Sequence, residues 1–385
     1  MTALIDQVDP NGLLEYSVVY TDRALNHMSG NFQGVMRDIG TTLKTAYNAH
    51  SAVVVPGSGT FAMEAVARQF AGQQKCLVIR NGWFSYRWSQ ILDMAALPSE
   101  TTVLQARRDK GDTTSPFSPV PINEAIAEIS RVKPAIVFAP HVETSAGMIL
   151  PDTYIAALAE ATHAVGGLFV LDCIASGAIW VDMQKSGVDV LISAPQKGWS
   201  GPPCAGLVMM SERARKAIDT TTSNSFAMDL KKWLDIMEAY EAGGHAYHAT
   251  MPTESLRVFR DVLKETENLG LELAHRRQQQ LGDRVRALLV DRGFKSVAAA
   301  GFQAPGVIVS YTSETSIQNG SLFKDAGLQI AAGVPLMCNE GDDFSSFRVG
   351  LFGLDKLMNV DRTVDSFAKA LDQVAAKHNQ VAVET

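Results

Sequence analysis

Apolar residues gather in short blocks, separated by stretches in which they recur every three or four positions. Seven blocks read as strands: residues 52–55, 75–79, 101–104, 134–139, 168–171, 189–193 and 206–210. Several are continuously apolar rather than alternating, the pattern of strands covered on both faces. Between them, residues 61–70 and 152–165 carry apolar positions at helical spacing. Pro151 suits the start of the second helix, and Gly166-Gly167 its end. This alternation of strand and helix predicts an α/β unit with a mostly parallel sheet.

The last third has another rhythm. A helical pattern rich in Glu, Arg and Gln covers residues 254–289, two strand candidates follow at 306–311 and 347–351, and a helix over 361–377 closes the pattern. We read an N-terminal arm (1–20), a large domain (21–270) and a smaller α+β domain (271–385), with no internal repeat and no low-complexity tract.

Composition removes several classes of protein. With 46% hydrophobic and 19% charged residues among 385, the chain is too apolar and too weakly charged for disorder. Thirty-four basic against 41 acidic residues, a net charge of −7 and no basic block argue against nucleic-acid binding by phosphate neutralisation. The most apolar stretch, 167–181, is interrupted by Asp172 and falls short of the ~18 residues that a membrane span needs. The opening MTALIDQVDPNG lacks the basic and apolar regions of a secretory signal. Cys76, Cys173, Cys204 and Cys338 are scattered, with no Cys-x-x-Cys. They read as reduced, buried thiols of a cytoplasmic protein rather than disulfides or zinc ligands.

Three motifs carry chemistry. Val55-Pro56-Gly57-Ser58-Gly59-Thr60 leads from a predicted strand into a predicted helix. Glycines let a ligand approach the backbone there, and the N–H groups of a helix start attract an anion. A plain tight turn reads the same way; neither the lysine of a P-loop nor the full Gly-x-Gly-x-x-Gly of a dinucleotide fold is present. Asp172 ends the apolar strand at 168–171, at the edge where α/β sheets bind ligands. A carboxylate buried there is costly without a partner, and capping of the next turn is the ordinary alternative. Lys197 follows the next strand in Ser193-Ala194-Pro195-Gln196-Lys197-Gly198. Most lysines are solvated, but a desolvated one has a lowered pKa and can form a Schiff base. Together, a phosphate cradle, a strand-end carboxylate and a lysine beyond the next strand are what pyridoxal 5'-phosphate requires. The carboxylate keeps the ring nitrogen protonated, so that the ring acts as an electron sink.

These motifs and their order resemble the class V aminotransferase family of fold-type I pyridoxal-phosphate enzymes. The likeness is strongest to the alanine–glyoxylate, serine–pyruvate and 2-aminoethylphosphonate aminotransferases, and it runs from about His27 to Gly353. It implies that Ser58, Gly59 and Thr60 bind the phosphate, and that Phe84 in Asn81-Gly82-Trp83-Phe84 stacks on the pyridine ring, with Trp83 as the alternative. Core packing is the ordinary fate of such an aromatic pair. In His141-Val142-Glu143-Thr144-Ser145-Ala146-Gly147, Thr144 would touch the cofactor and His141 would be structural. Asp172 matches the pyridine partner, Ile174 the apolar residue beneath the ring, Lys197 the Schiff-base lysine and Gln196 its neighbour. Tyr247 and Thr250, in Tyr247-His248-Ala249-Thr250-Met251-Pro252, match residues that reach the phosphate of a neighbouring subunit, which implies a homodimer with shared sites. Arg348, in Phe347-Arg348-Val349-Gly350, matches the arginine that binds the substrate carboxylate. Without the resemblance, it would read as a surface arginine on an edge strand.

The implied activity is transamination between a small amino acid and a 2-oxo acid. The sequence departs from the family at residues 15–22, in place of a Pro-Gly-Pro-Thr-like segment, and in the bulky Trp83, Tyr86, Arg87 and Trp88. Both differences are expected on the substrate side. Rival readings are a lyase using Cys338, whose acidic neighbours disfavour a thiolate, a non-catalytic protein of the same fold, and a nicotinamide dehydrogenase. A metal site from His245 and His248 lacks a third ligand in the sequence, and no metal is expected.

Overall fold

The computed structural model describes residues 8–109 and 111–384, so the first seven residues of the expected arm lie outside the described residues. The strands, in chain order, are β1 (Ser51–Pro56), β2 (Lys75–Arg80), β3 (Glu100–Gln105), β4 (Ile136–Pro140), β5 (Val142–Glu143), β6 (Met148–Ile149), β7 (Leu168–Asp172), β8 (Val190–Ser193), β9 (Ala205–Met210), β10 (Val307–Tyr311), β11 (Ala331–Ala332) and β12 (Ser346–Gly350). Seven of them form one sheet in the order β1-β9-β8-β7-β4-β2-β3. Its neighbours pair in parallel from β8 to β3, whereas β9 runs antiparallel to both β8 and β1. Being opposite to β9, β1 points with the parallel strands, so six strands end on the same edge. This is a mixed α/β architecture with a mostly parallel central sheet, as the strand–helix alternation predicts.

The continuous apolar runs have their explanation here. Every residue of β4, β8 and β9 is buried, because helices cover both faces and leave no solvent side to demand alternation. Helices at Gly30–Tyr47, Trp83–Met94, Ile122–Val132 and Leu230–Glu241 were not marked by periodicity alone. The first announces itself by its cap: the Ser29 hydroxyl accepts from the Phe32 amide at 3.1 Å.

The helical pattern over 254–289 is two helices, Thr253–Leu269 and Leu271–Asp291. Gly270 separates them at φ 90°, a conformation that glycine adopts without steric cost. Leu256, Phe259 and Leu263 pack into the core of the large sheet, while Ala274, Leu281, Val285 and Leu289 join a second core with Ile308, Phe347 and Val349. Apolar spacing persists across the break because each half buries a face, and spacing is blind to the change of partner. The second core backs a small antiparallel sheet, β10-β12-β11, which stands beside the carboxyl edge of the large one.

Candidate active site

The chemistry-bearing residues converge on that edge. After β1, the chain turns through Gly57 and Ser58 into the helix Gly59–Phe70. A Cβ on Gly59 would fall 2.6 Å from Ile174 Cδ1, so with glycine there the turn lies against the loop after β7 without displacing Ile174. The Ser58 hydroxyl makes no capping bond to its own helix. The amides opening that helix have no acceptor inside it. A neutral hydroxyl and a cluster of N–H groups therefore face outward, a setting suited to an anion.

After β2, the helix Trp83–Met94 starts against a buried carboxylate. One oxygen of Glu143 accepts from the Phe84 amide at 3.2 Å and from the Ser145 hydroxyl at 2.8 Å. The other accepts from the Ser85 amide at 2.8 Å and the Ser85 hydroxyl at 2.7 Å. Glu143 is completely buried, and its charge sits where the helix dipole favours an anion. The Ser145 hydroxyl accepts from the Trp83 amide at 2.9 Å. A Cβ on Gly82 would collide with Ser145 and Glu143, so the close approach needs glycine. Thus the loop after β4 clamps the helix that presents Phe84. The sequence motif assigns Glu143 no role of its own; an acidic residue between a buried strand and Ser145 is the signal it carries.

Asp172 closes β7, and its carboxylate accepts one hydrogen bond, from the Ile174 amide at 2.9 Å. Burial pushes its pKa up to about 6, and the charge of Glu143 adds to the rise; the Ile174 amide, Lys197 and Arg87 oppose it. Lys197 follows β8. Burial holds its ammonium below the ordinary lysine range, against the pull of Asp172, and Arg348 and Arg87 lower it further. Its Nζ lies 5.5 Å from the centroid of the Phe352 ring. His141 is buried behind the site, with Nδ1 2.7 Å from the Ser176 hydroxyl, and burial pushes its pKa down to about 4. It is a neutral strut that supports the loop carrying Asp172.

Ser58, Gly59, Thr60, Phe84, Thr144, Asp172, Ile174, Gln196 and Lys197 line one cavity of about 250 Å³, together with Met63, Arg87, Val142 and Ala175. Arg348 reaches across from β12. Its guanidinium lies 5.6 Å from the Phe84 ring centroid, and its Nε donates to the Ala332 carbonyl at 2.8 Å. Trp83 does not line the cavity; its ring packs against Tyr86.

Tyr247 and Thr250 are not brought to this cavity. Their hydroxyls are 3.2 Å apart, and Tyr247 is half exposed beside the His27 ring.

The structure bears on both departures from the family pattern, keeping one of the bulky residues at the cavity and placing residues 15–22 elsewhere in the chain. Residues 83–88 belong to the helix Trp83–Met94. Trp88 turns away from the site and is fully buried against Phe138, at 4.3 Å between ring centroids. Of the four bulky residues, Arg87 alone lines the cavity, beside Phe84. Of residues 15–22, Glu15, Tyr16, Ser17, Thr21 and Asp22 line a separate hollow formed within residues 8–30 of the same chain, and the Tyr20 hydroxyl donates to the Met251 carbonyl at 3.3 Å.

Cys338 is buried with its thiol pushed up to about 12, chiefly by desolvation, which removes the thiolate a desulfurase needs. The two histidines have separate partners: His245 packs on the His27 ring, and His248 Nε2 hydrogen-bonds the Phe226 carbonyl at 2.7 Å.

The arrangement offers an anion turn, an apolar slot, a lysine of lowered basicity, a buried carboxylate with one oxygen that no described residue hydrogen-bonds and an arginine across the slot. Comparison with known proteins identifies the family. The chain matches the aminotransferase class V family over residues 10–334. It is 27% identical over 338 residues to a 2-aminoethylphosphonate–pyruvate transaminase of Vibrio parahaemolyticus, covering 86% of each chain. Its fold superposes on a ureidoglycine–glyoxylate aminotransferase of Bacillus subtilis with a TM-score of 0.78 and 22% identity, over 92% of this chain and 88% of that one. An alanine–glyoxylate aminotransferase of Nostoc gives a TM-score of 0.75 at 22% identity, over 90% and 89%. The chain belongs to the class V aminotransferase family and has its fold-type I architecture.

Proposed function

We propose that the cavity binds pyridoxal 5'-phosphate and that the chain moves an amino group from a small amino acid, such as alanine or serine, to a 2-oxo acid such as glyoxylate or pyruvate. The observation that carries this reading is the meeting of Lys197, Asp172 and the Ser58–Thr60 turn in one cavity. The relatives' names supply pyruvate and glyoxylate as acceptors.

The residues present fit the cofactor. The Ser58 hydroxyl and the amides of Gly59 and Thr60 suit its phosphate, and Phe84 and Ile174 offer apolar surface to a flat ring. Gln196 and Thr144 border the same space. The second carboxylate oxygen of Asp172 has no donor among the described residues, which leaves it open to a ring N–H. When bound, the cofactor supplies an electron sink for charge developing at the donor's Cα.

The remaining work belongs to the chain. With a pKa of about 6 in the free cavity, Asp172 is ionised at neutral pH. Arg348 binds the donor carboxylate through its planar fork. Lys197 Nζ, desolvated and without a hydrogen-bond partner among the described residues, takes the proton from the donor's Cα as a base and, as an acid, delivers it to the cofactor-side carbon rather than back to Cα. Tyr247 and Thr250 serve the phosphate site of a second copy, which makes the working unit a homodimer. Gly270 is taken as the junction between a large cofactor-binding domain and a small one. Four cysteines without disulfides support a cytoplasmic location, and no helix among the described residues is long and apolar enough to cross a membrane.

The test is a half-reaction screen. The cofactor-loaded chain is mixed singly with alanine, serine, aspartate and 2-aminoethylphosphonate, and loss of the bound aldehyde's absorbance is followed. A productive donor fixes the substrate class, whereas ammonia released without any oxo-acid acceptor would overturn transamination. Lys197→Ala should abolish both the bound-cofactor absorbance and turnover; full activity in that variant would sink the assignment.

A further inference from the structure

Arg87 has no part in the roles assigned so far, yet it lines the same cavity. It stands one helical turn beyond Phe84 on the helix Trp83–Met94. Its Nη1 donates to the Thr60 hydroxyl at 3.1 Å, which ties it to the anion turn at the head of a different helix. The guanidinium carbon lies 4.9 Å from the Phe84 ring centroid, so the ring fixes the plane of the fork. Eleven other arginines form ion pairs with carboxylates. Arg87 has no such partner among the described residues, although it is half-buried.

An unpaired guanidinium held at this depth is costly unless an anion joins it. The turn itself offers neutral donors only, the Ser58 hydroxyl and the helix-start amides. They suit an anion's oxygens but do not cancel its charge. Resting on the cofactor reading above, we propose that Arg87 is the charge-neutralising ligand of the phosphate-binding turn, donating to a phosphate monoester seated between Thr60 and Phe84. Its tether to Thr60 assigns it to the phosphate side, and Arg348 serves the carboxylate side.

The experiment uses the full chain freed of cofactor and two variants, Arg87→Gln and Arg87→Lys, each checked for folding by circular dichroism. Inorganic phosphate is titrated while thermal unfolding is followed, and pyridoxal 5'-phosphate affinity is measured separately by equilibrium dialysis. The parent chain should gain thermal stability with phosphate. Arg87→Gln should need about ten- to a hundredfold more phosphate for the same gain, the scale of one charge-assisted hydrogen bond. Its cofactor affinity should fall by a similar factor. Arg87→Lys, which keeps the charge and loses the fork, should lie between, and it carries the test if the glutamine variant does not fold. A parent-like phosphate response in the variants overturns the role of Arg87 alone. So does a raised KM for the amino donor with phosphate affinity unchanged, which would move Arg87 to the substrate side. A parent chain that responds to neither phosphate nor cofactor overturns the cofactor reading itself.

Discussion

Two aspartates on neighbouring strands stand at opposite edges of the large sheet, and both are buried. Asp189 lies just before β8, at the amino edge. Its carboxylate accepts from the Phe169 amide at 2.9 Å, from the Ser211 hydroxyl at 3.1 Å and from His163 Nε2 at 2.8 Å. Asp172 ends β7 at the carboxyl edge and, among the described residues, accepts only from the Ile174 amide. The first is a satisfied joint between β7, the helix Asp152–Ala164 and the end of β9. The second keeps an unmet demand for a donor beside a lysine and an arginine, in a cavity. Burial of a carboxylate does not mark function; incomplete satisfaction of its hydrogen-bonding capacity does. Glu143 shows that both conditions occur near the site, since it is saturated by its neighbours and acts through the helix it holds.

Substitutions can break or sharpen this contrast. The largest effect is expected from Asp172→Asn, which should lower kcat by about a hundredfold or more, the scale of removing a preorganised charge from a reacting centre. Its thermal stability should hold; an active Asn variant would erase the distinction between the two aspartates. Glu143→Gln should cost about 1–3 kcal/mol of stability by orphaning buried amides. It should also depress turnover per folded molecule, because Phe84 loses its clamp; denaturant unfolding beside active-site titration separates the two effects. Asp189→Asn should cost a similar amount in unfolding free energy, while the folded fraction keeps parent-like kcat and KM.

The subtlest prediction concerns pH in the cofactor-free chain. The raised pKa of Asp172 gives a contribution that is complete below its ordinary value and is lost as pH rises through about 6. The depressed pKa of His141 gives one that is complete above its ordinary value and is lost as pH falls through about 4. Each is worth up to about 3 kcal/mol, and they oppose one another between pH 4 and 6. The parent should therefore vary little in urea midpoint across that window. His141→Asn should lose stability with rising pH and Asp172→Asn should gain it. Parallel slopes in the two variants would refute the assignment.

Much of the fold could be read from the chain. Continuous apolar runs marked the covered strands of the large sheet and, at 306–311 and 347–351, two strands of the small one. Pro151 and Gly166 bracketed their helix. The short strands β5, β6 and β11 escaped because two residues carry no period, and Gly270 escaped because spacing continues across it.

The sequence by itself determined the residue types at the strand ends, and with them the choice of Ser58–Thr60, Asp172 and Lys197 as candidates, since each follows a strand whose edge is set by hydrophobicity. It also carried the family likeness. The tertiary structure alone decided which of these groups face one another and which are already satisfied. It turned Trp88 into the core and Phe84 toward the cavity, saturated Glu143, left Arg87 without a carboxylate partner among the described residues and kept Tyr247 away from its own chain's site. The physical reason is that hydrophobic burial acts locally and leaves a periodic trace. Hydrogen-bond satisfaction and charge pairing depend on partners tens or hundreds of residues away, and they exist only once the sheet has assembled.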